Sequence, residues 1–344
     1  MRQIQLSHGG GGQQMNQLIS QLFFHHFAND ILLKSEDAAR LTTQGEIALT
    51  TDSFTVAPLF FAGGDIGKLA IAGTVNDLAM MGAKPDYLTC SFMIEEGFPY
   101  TELERIVKSM AKELKVSGAQ IVCGDTKVVP KGCVDGLFIN TAGVGNFYQA
   151  QRPSASAIAD DDAILVSGDI GRHGACILMA RDALKLSSSL TSDCTTLWPR
   201  VSALLNHRLP VHALRDATRG GLSAVLNEWS AASQVNINVI EERIPVSDEV
   251  KGLCELYGFE PYDLANEGTM LIALPQRDAQ AALDVLRQFD PNACQIGSAS
   301  AHRQPSHHQT NGSQSPQPKV ILHSPWGSRR YLELPQGELL PRIC

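Results

Sequence analysis

Short apolar runs alternate with longer, helix-compatible segments along the first half of the chain. Ile47–Thr51 is rich in β-forming residues and predicts a strand that ends at Asp52, and Tyr87–Ile94 predicts another. Between them, Ile66–Met81 is compatible with a helix, and Leu137–Ile139 predicts a further strand. Strands that alternate with helices favour an α/β (α+β) fold.

The segment 101–118 carries the clearest helical periodicity. Thr101 and Glu104 have the spacing of a capping box, which predicts that the helix begins at Thr101. Gly118 closes it, since glycine commonly follows the last turn of a helix. One face of the helix is apolar and is formed by Leu103, Ile106, Val107, Met110 and Leu114. We therefore expect this face to pack on a core.

The second half of the chain repeats the pattern. Ala163–Val166 and Thr269–Leu274 predict buried strands, and short strand pieces follow at 320–322 and 331–332. Helices are predicted near 174–185, 194–206, 220–232 and 276–289.

Two polar segments divide these elements. The segment 149–162 contains Pro153 and serines, and we place a domain boundary there. The segment 298–318 is dominated by Ser, Gln, His and Pro and has too little apolar surface to order itself. The sequence therefore predicts four regions: an N-terminal domain at 1–150, a C-terminal α/β domain at 160–297, a flexible polar insertion at 298–318 and a C-terminal tail at 319–344.

Composition and charge narrow the class of protein. The chain has 344 residues, 44% of them hydrophobic, and a formal net charge of −8. These values are typical of a globular protein and argue against a general nucleic-acid-binding surface. The N-terminus lacks the apolar core of a signal peptide, and no apolar stretch reaches ~18 residues, so we expect no membrane span. The eight cysteines form no CxxC pair, which favours reduced thiols in the cytoplasm.

A run of four glycines, Gly9, Gly10, Gly11 and Gly12, follows His8 near the N-terminus. Glycine lets backbone N–H groups turn toward an anion without a clash from Cβ, so such a loop can wrap phosphates. The run matches neither the P-loop pattern nor the dinucleotide-binding GxGxxG pattern. Its interpretation depends on the surrounding residues.

Four aspartates supply that context. Asp52 and Asp125 come at predicted strand ends, and Asp65 and Asp77 lie in glycine-rich or small-residue surroundings. A single aspartate in such a place is usually a cap or a turn residue. Magnesium, however, is commonly held by a few carboxylates together with nucleotide phosphates. The four together therefore favour a metal–phosphate site.

Two further motifs have the residue types of a catalytic site. Lys127 lies beside Asp125 and could stabilise charge on a transferred phosphoryl group. Glu267 lies between Asn266 and Gly268, just before an apolar strand, and could accept a proton. A surface lysine and a helix-start glutamate are equally compatible with these patterns. The segment 216–222 would open a helix with two glycines.

The chain ends at Cys344, within Pro-Arg-Ile-Cys. A terminal residue moves readily, and the neighbouring arginine favours a thiolate, whereas the α-carboxylate opposes it. Prenylation is excluded because its motif places the cysteine four residues from the end. Cys344 is therefore a candidate nucleophile that needs a pocket to support it.

Taken together, these segments resemble the HypE family, the carbamoyl dehydratases of nickel–iron hydrogenase maturation, within the aminoimidazole-ribonucleotide-synthetase-like superfamily. The similar stretches span nearly the whole chain in order, apart from the polar insertion, which is longer than the family pattern. They read SHGGGG, TDSFTVAPLFFAGGDIGKLAIAGTVNDLAMMGAKP, EEGFP, CGDTKVVPKG, DGLFINTAGVG, ILVSGDIGRHG, RDATRGGL, LANEG and the terminal PRIC.

The resemblance implies a reaction. A HypF-like carbamoyltransferase would load Cys344 with a carbamoyl group, and ATP would then phosphorylate the carbamoyl oxygen. Loss of phosphate and a proton would leave a thiocyanate, whose cyano group would pass to iron on a HypC–HypD-like scaffold. The resemblance also implies a two-domain fold whose N-terminal sheets pair in a homodimer.

The resemblance implies residue roles as well. Cys344, Lys127 and Glu267 would be catalytic, with Lys127 also contacting ATP. The ligands of Mg²⁺ would be Asp52, Asp77 and Asp125. The ATP-binding set would further include Gly9, Gly10, Gly11, Gly12, Asp65 and Asn76. Two other functions stay open: a kinase or ligase that acts on a free small molecule without Cys344, and a carrier protein that presents the thiol.

Overall fold

The structure is a computed structural model that describes all residues except 1, 2, 11, 37, 44, 182–187, 303–316 and 336–339. The chain forms two compact units. Unit 1 comprises residues 1–150, 176–202 and 340–344, and unit 2 comprises 151–175 and 203–339. This division differs from the predicted one, because 176–202 and the last five residues group with the N-terminal domain. None of the helices within the described ranges is long and apolar enough to cross a membrane.

The described residues contain regular helices and strands in both units. The α-helices are α1 (Gln13–Leu18), α2 (His25–Phe27), α3 (Ile66–Met80), α4 (Tyr100–Ser117), α5 (Arg172–Arg181), α6 (Trp198–Asn206), α7 (Gly221–Ser233), α8 (Asp248–Tyr257) and α9 (Ala279–Leu286). The strands are β1 (Ile47–Phe54), β2 (Phe60–Phe61), β3 (Gly64–Asp65), β4 (Ala83–Glu95), β5 (Gln120–Val129), β6 (Leu137–Phe147), β7 (Asp162–Val166), β8 (Ala213–Asp216), β9 (Val235–Ile240), β10 (Met270–Pro275), β11 (Cys294–Ala301), β12 (Val320–His323) and β13 (Arg329–Tyr331). A π-helical stretch, Ile19–Phe24, joins α1 to α2.

Unit 1 is built on a four-stranded sheet in the order β1-β6-β4-β5. Neighbouring strands are antiparallel except β4 and β5, which are parallel and are connected through α4. Helices α3 and α4 cover one face, which we call the inner face. Helix α3 is buried over nearly all its residues because it lies between the sheet and α4. A helix so enclosed is mostly apolar, and its buried polar residues Thr74 and Asn76 are hydrogen-bonded.

Helix α4 confirms the predicted amphipathic pattern but not its predicted start. The five residues of the predicted apolar face are all buried, and Gly118 ends the helix at φ +77°. The capping box at Thr101 is wrong, however. The helix begins at Tyr100 after Pro99, and the N-cap position makes no side-chain hydrogen bond. Proline at this place fixes the chain direction without a capping hydroxyl, so Thr101 lies inside the first turn.

The other face of the unit 1 sheet, the outer face, carries a mixture of polar and apolar side chains. Leu49 is 72% exposed there, and Ile47 and Met93 are also exposed. Leu49 pairs with Val144 across β1 and β6. The alternation along each strand therefore separates a buried face from one that is partly apolar and open.

Unit 2 contains a seven-stranded sheet in the order β13-β12-β9-β11-β7-β10-β8. Every residue of β7 is buried, as the apolar run Ala163–Val166 predicts, and the buried Asp162 at its start pairs with His212. The core includes Trp229 on α7, Ile164 on β7 and Ile237 on β9. The predicted glycine-led helix is confirmed as α7, whose N-cap Gly220 has φ +76°.

The structure corrects the start of the predicted polar insertion. Strand β11 runs to Ala301, and Ser298 pairs with both β7 and β9. Its small polar residues stay in the strand because the ladder bonds on both sides use the backbone rather than the side chains. Most of the predicted insertion, 303–316, lies outside the described residues.

Candidate functional site

The N-terminal segment is fixed to the unit 1 sheet before the glycine run begins. The backbone N–H of Ile4 donates to the carbonyl of Phe98 at 2.8 Å, and the N–H of Gly97 donates to the carbonyl of Ile4 at 2.7 Å. A 3-10 turn over Leu6–Gly9 then brings the chain against β5. The start of the glycine run is thereby held at one edge of the sheet.

Gly9 is the glycine of this run that packing requires. A Cβ at Gly9 would lie 2.5 Å from the backbone nitrogen of Val128, whereas one at Gly12 would have nothing within 4 Å. Gly10 is almost as open, with its nearest neighbour 3.8 Å away. Gly11 lies outside the described residues. Gly9 thus allows a close approach to β5, and Gly10 and Gly12 have open space where a side chain would lie.

Asp125 and Lys127 lie on the outer face of β5, beside this loop. The carboxylate of Asp125 accepts from the backbone N–H of Thr126 at 2.8 Å and from Lys127 Nζ at 3.0 Å. Both side chains are about half exposed or more. The sequence prediction of a strand end at Asp125 is wrong, because β5 continues to Val129. The result is a solvent-facing ion pair next to the glycine run.

Asp52 and Asp77 form a second set, between β1 and α3. Thr74 Oγ1 donates to Asp52 Oδ2 at 2.9 Å, and Thr50 Oγ1 donates to Asp77 Oδ2 at 2.6 Å. Asp52 lies inside β1 rather than at its end, contrary to the prediction. Thr50 and Asp52 share one strand face, and Thr74 and Asp77 share one helix face, which brings the two carboxylates to the same seam.

The two sets lie at opposite edges of the sheet. Between β1 and β5 stand β6 and β4, which at about 4.8 Å per strand separates the edges by roughly 14 Å. They also use opposite faces. Asp125 lies directly across the strands from Ser91, Asn140 and Ser53, whereas Asp52 lies across from Thr141, one residue further along. Successive side chains of a strand point to opposite faces, so Asp125 and Asp52 point to opposite faces of the sheet. Across the described ranges, no three His, Cys, Asp or Glu side chains gather into a metal-binding group.

Asp65 caps the start of α3. Its Oδ1 accepts from the backbone N–H groups of Gly67 at 2.8 Å and Lys68 at 3.0 Å. The side chain is buried, and this burial raises its pKa, an effect opposed by the cap hydrogen bonds and by Arg105. The structure therefore gives Asp65 a defined structural role at the helix N-terminus.

Asn76 is buried and is bonded to backbone at both ends of its amide. Its Nδ2 donates to the carbonyl of Thr195 at 3.1 Å, and its Oδ1 accepts from the N–H of Leu197 at 2.6 Å. The carboxylate of Glu113 accepts from the N–H of Thr196 at 2.6 Å. These bonds explain why this part of the segment 176–202 belongs to unit 1.

Glu267 lies in unit 2 and is 2% exposed. The neighbouring Asn266 accepts from the N–H of Gly171 at 2.7 Å and donates to the carbonyl of Ala217 at 3.1 Å. A Cβ at Gly221 would meet the carbonyl of Leu264 at 2.6 Å, so glycine is needed where α7 begins. Two glycine-containing loops of unit 2, at Gly171 and at 217–221, are thus held around the Asn-Glu-Gly segment.

The C-terminal residues lie along unit 1, after the end of β1. The N–H of Thr55 donates to a carboxylate oxygen of Cys344 at 3.0 Å, and the N–H of Ala57 donates to the carbonyl of Arg342 at 3.2 Å. Ile343 is buried, and Cys344 is half-buried. The same unit therefore carries the terminal thiol and both acidic sets.

The sequence interpretation missed three residues of this region. Thr50 and Thr74 supply hydroxyl donors to the paired carboxylates, and each precedes its own strand or helix aspartate by two or three residues. That spacing places each threonine on the same face as its aspartate, so both threonines could have been predicted as neighbours of the carboxylates. Arg181, which binds the C-terminal backbone, had no such signal because it lies 160 residues from Pro341.

The residue types at this site suit a phosphorylated ligand. A glycine-rich loop, a lysine and several carboxylates are the groups that bind nucleotide phosphates with a divalent cation. The seam of Asp52 and Asp77 supplies two carboxylates, the number Mg²⁺ commonly takes from protein beside phosphate oxygens. Asp125 does not reach that seam within one chain.

Comparisons with known proteins agree with this description. The family model "AIR synthase related protein, N-terminal domain" matches residues 35–147, and its C-terminal counterpart matches 159–308. Carbamoyl dehydratase HypE of Escherichia coli (strain K12) is 44% identical over 353 aligned positions, which cover 100% of both chains.

Two solved structures extend the comparison. The crystal structure of hydrogenase maturation protein HypE in complex with ATP has a TM-score of 0.91 at 43% identity and covers 99% of each chain. A crystal structure of a HypE–HypF complex contains a chain that matches with a TM-score of 0.77 at 41% identity, covering 92% of this chain and 99% of the other. With both domain models and a full-length relative in agreement, the chain belongs to the HypE family of carbamoyl dehydratases, built from the two AIR synthase related domains.

Proposed function

We propose that this protein is an ATP-dependent carbamoyl dehydratase that acts on the S-carbamoylated thiol of its own Cys344. The observation that carries the proposal is that the terminal segment lies along unit 1, which also holds the glycine run, Lys127 and the aspartates. The ATP-bound and HypF-bound relatives support it. The cytoplasm, where thiols stay reduced, is the compartment that suits such a cysteine.

The proposed reaction converts a thiocarbamate into a thiocyanate. ATP transfers its γ-phosphoryl group to the carbamoyl oxygen, which turns a poor leaving group into phosphate. The C–O bond then breaks, both amide protons leave nitrogen, and a C≡N bond remains on sulfur. The products are the S-cyano cysteine, ADP, phosphate and one proton. The cyano group would then serve as a ligand for hydrogenase iron.

The residues of unit 1 have distinct roles in this proposal. Gly9, Gly10, Gly11 and Gly12 bind the phosphates through backbone N–H groups, and Lys127 stabilises charge on the transferred phosphoryl group. Asp52 and Asp77 would hold Mg²⁺, which lowers the repulsion among phosphate oxygens when it is bound. Asp65 and Asn76 contribute to the nucleotide site indirectly. Asp65 fixes the start of α3, and Asn76 fixes the segment 195–197.

Glu267 is the proposed proton acceptor. It is buried in unit 2, in a segment fixed by Asn266. A carboxylate in such a place can take a proton from the carbamoyl nitrogen when the loaded terminus reaches it.

The outer face of the unit 1 sheet is the proposed homodimer surface. Leu49, Ile47 and Met93 leave apolar area exposed on one side of a sheet whose other side is fully covered. A two-fold axis parallel to the strands would place the β1 edge of one copy beside the β5 edge of the other. Asp125 of one chain would then contact a nucleotide at the edge where the second chain holds Mg²⁺ with Asp52 and Asp77.

Two partner proteins complete the proposal. A HypF-like carbamoyltransferase would load the thiol, as the complex of a related chain with HypF supports. A HypC–HypD-like iron scaffold would accept the cyanide. No nucleic-acid or membrane partner is proposed.

Intact-mass spectrometry tests the activity directly. The chain is incubated with a HypF-type carbamoyltransferase and its substrates, and ATP is then added. The mass should rise by one carbamoyl group and then fall by one water. Cys344→Ala should abolish both changes, whereas Cys133→Ala, at an exposed cysteine elsewhere in unit 1, should leave both intact. ATP turnover that persists in Cys344→Ala on a free small molecule would favour a kinase, and loading without ATP-dependent water loss would favour a carrier.

A further inference from the structure

The C-terminal tail is bound through its backbone. Thr55 and Ala57 donate their N–H groups to the terminal carboxylate of Cys344 and to the carbonyl of Arg342, so two backbone hydrogen bonds join the tail to 55–57. Ile343, between them, is 5% exposed. The tail therefore has a defined register along 55–57, and one apolar side chain anchors it.

Arg181, the last residue of α5, joins both sides of this pairing. Its Nε donates to the carbonyl of Ala57 at 2.6 Å. Its two terminal nitrogens donate to the carbonyls of Pro341 at 2.7 Å and Arg342 at 2.6 Å. The planar guanidinium group presents its donors in a fixed fork, so one side chain fixes two consecutive tail carbonyls.

Arg342 adds a second contact on the tail's own side. Its Nε donates to the carbonyl of Thr55 at 2.7 Å, and its Nη1 forms an ion pair with Asp135 at 2.5 Å. The residue has φ +52°, a conformation that side chains other than glycine seldom adopt. In this left-handed conformation the backbone carbonyl of Arg342 points toward the guanidinium of Arg181 and accepts a hydrogen bond from it.

Phe138 shows which face of the sheet the tail approaches. The guanidinium of Arg342 lies 5.5 Å from the centre of the Phe138 ring, on β6. Phe138, Met93 and Lys127 occupy one row of the sheet, so Lys127 lies two strands away, about 10 Å. The bound tail is thus on the same face as the Asp125–Lys127 pair.

We infer that Arg181 is a positioning residue that holds the C-terminal tail on unit 1 by binding its backbone carbonyls, with Asp135 as a weaker second support through Arg342. The inference rests on the proposed function for its significance, because the tail carries the reactive thiol. It makes two demands. Loss of the Arg181 side chain must release the tail. Changes to the Pro341 side chain must leave the tail bound, because Arg181 binds only the backbone carbonyl of Pro341.

Thiol labelling measures the release without ATP or a partner enzyme. The full-length protein is treated with iodoacetamide, and the alkylation rates of Cys344 and of the fully buried Cys90 are followed by peptide mass spectrometry. Arg181→Ala should raise the Cys344 rate about tenfold, the equivalent of losing one or two hydrogen bonds. Asp135→Asn should raise it less, since that pair is exposed. Arg277→Ala, at an exposed arginine of unit 2, is the matched control and should match wild type.

Arg181→Lys separates positioning from folding. It retains the charge but loses the fork, so the Cys344 rate should fall between those of wild type and Arg181→Ala while Cys90 stays protected. Carboxypeptidase removal of Cys344 should follow the same order, and Pro341→Ala should match wild type in both assays. The inference would be overturned if Cys344 were labelled at the wild-type rate in both Arg181→Lys and Arg181→Ala. It would also be overturned if the labelling rate of Cys90 rose as much as that of Cys344. Because neither assay needs dehydratase activity, failure of the proposed function would leave these results unchanged.

Discussion

At the β1 edge of the unit 1 sheet, Asp52 and Asp77 lie in the seam beneath α3 and accept hydrogen bonds from threonine hydroxyls. At the β5 edge, Asp125 faces solvent and pairs with Lys127. The residue type is the same, but the surroundings differ. The hydroxyl donors fix the carboxylates of the seam, as the proposed Mg²⁺ ligands require, whereas the exposed pair leaves Lys127 open to solvent, where the proposed phosphate would approach. The comparison shows that a sequence motif specifies only the residue type, whereas the burial of each aspartate determines which groups it contacts.

The largest expected effect concerns the exposed edge. Lys127→Ala should still allow Cys344 to be carbamoylated but should slow the ATP-dependent loss of water by ~10²–10⁴, the usual loss when a group that stabilises transition-state charge is removed. Single-turnover mass spectrometry on pre-carbamoylated protein measures it. Lys84→Ala removes a similar exposed lysine–aspartate pair on β4 and should stay within about twofold of wild type. Equal rates in the two variants would make Lys127 an ordinary surface residue.

The next prediction distinguishes the two edges by how strongly nucleotide binding at each depends on Mg²⁺. Asp77→Asn should weaken Mg²⁺-ATP binding by at least about tenfold and leave metal-free nucleotide binding nearly unchanged, because the amide keeps an acceptor for Thr50 but loses the charge. Asp125→Asn should show a smaller metal-dependent loss, since solvent screens its charge. Calorimetry with and without Mg²⁺ gives both values. Equal losses under the two conditions would indicate damage to the fold.

A smaller effect should appear in stability rather than in binding. Thr74→Val removes a buried hydroxyl that contacts both Asp52 and Thr141, and it should lower the free energy of unfolding by about 1–3 kcal/mol. Lys127→Ala, at the exposed edge, should change it by about 0.5 kcal/mol or less. Denaturant unfolding compares the two. A stability loss in Lys127→Ala as large as in Thr74→Val would remove the contrast between the edges.

The smallest effect is a pH dependence at Asp65, whose pKa is raised by burial from an ordinary value of 3.8. Below that value the carboxyl group is protonated in both folded and unfolded chains, and its contribution to stability is fully present. As the pH rises, the unfolded chain ionises first, so the contribution is lost through the raised pKa of the folded state.

Asp65→Asn should therefore lose less stability than wild type as the pH rises from about 4 to 7, by ~1 kcal/mol or less. The amide oxygen can still accept from Gly67 and Lys68. Melting temperatures measured across this pH range test the effect. Asp248→Asn, at the exposed first turn of α8, is the control and should follow wild type. A steeper pH dependence in Asp65→Asn would reverse the assigned direction.

Local patterns predicted much of the fold. The apolar face of α4, its end at Gly118 and the glycine-led start of α7 depend on neighbours within a few residues, so the sequence contains them directly. The start of α4 was missed because Pro99 replaces a capping hydroxyl. The helical segment from Gln13 to Phe27 was also missed, since its polar and aromatic residues become helical only where Phe23 stacks on Phe92 of the sheet.

The candidate site was predictable as a list of residues and not as an arrangement. The resemblance identified Asp52, Asp77, Asp125 and Lys127 as one set. The strand order, which depends on long-range pairing, separates them by two intervening strands and places them on opposite faces. Asn76 shows the same limit, because its partners lie some 120 residues away at Thr195 and Leu197.

The sequence by itself determined the residue chemistry of this protein: a glycine run, carboxylates, a lysine and a terminal thiol, in an order that resembles one family. These features are local, and a motif needs no fold to be recognised. Only the tertiary structure decided which carboxylates share a seam and which face solvent. It also decided that Arg181 holds the tail that carries Cys344. Backbone carbonyls have no sequence signature, so the contacts they make are fixed by packing alone.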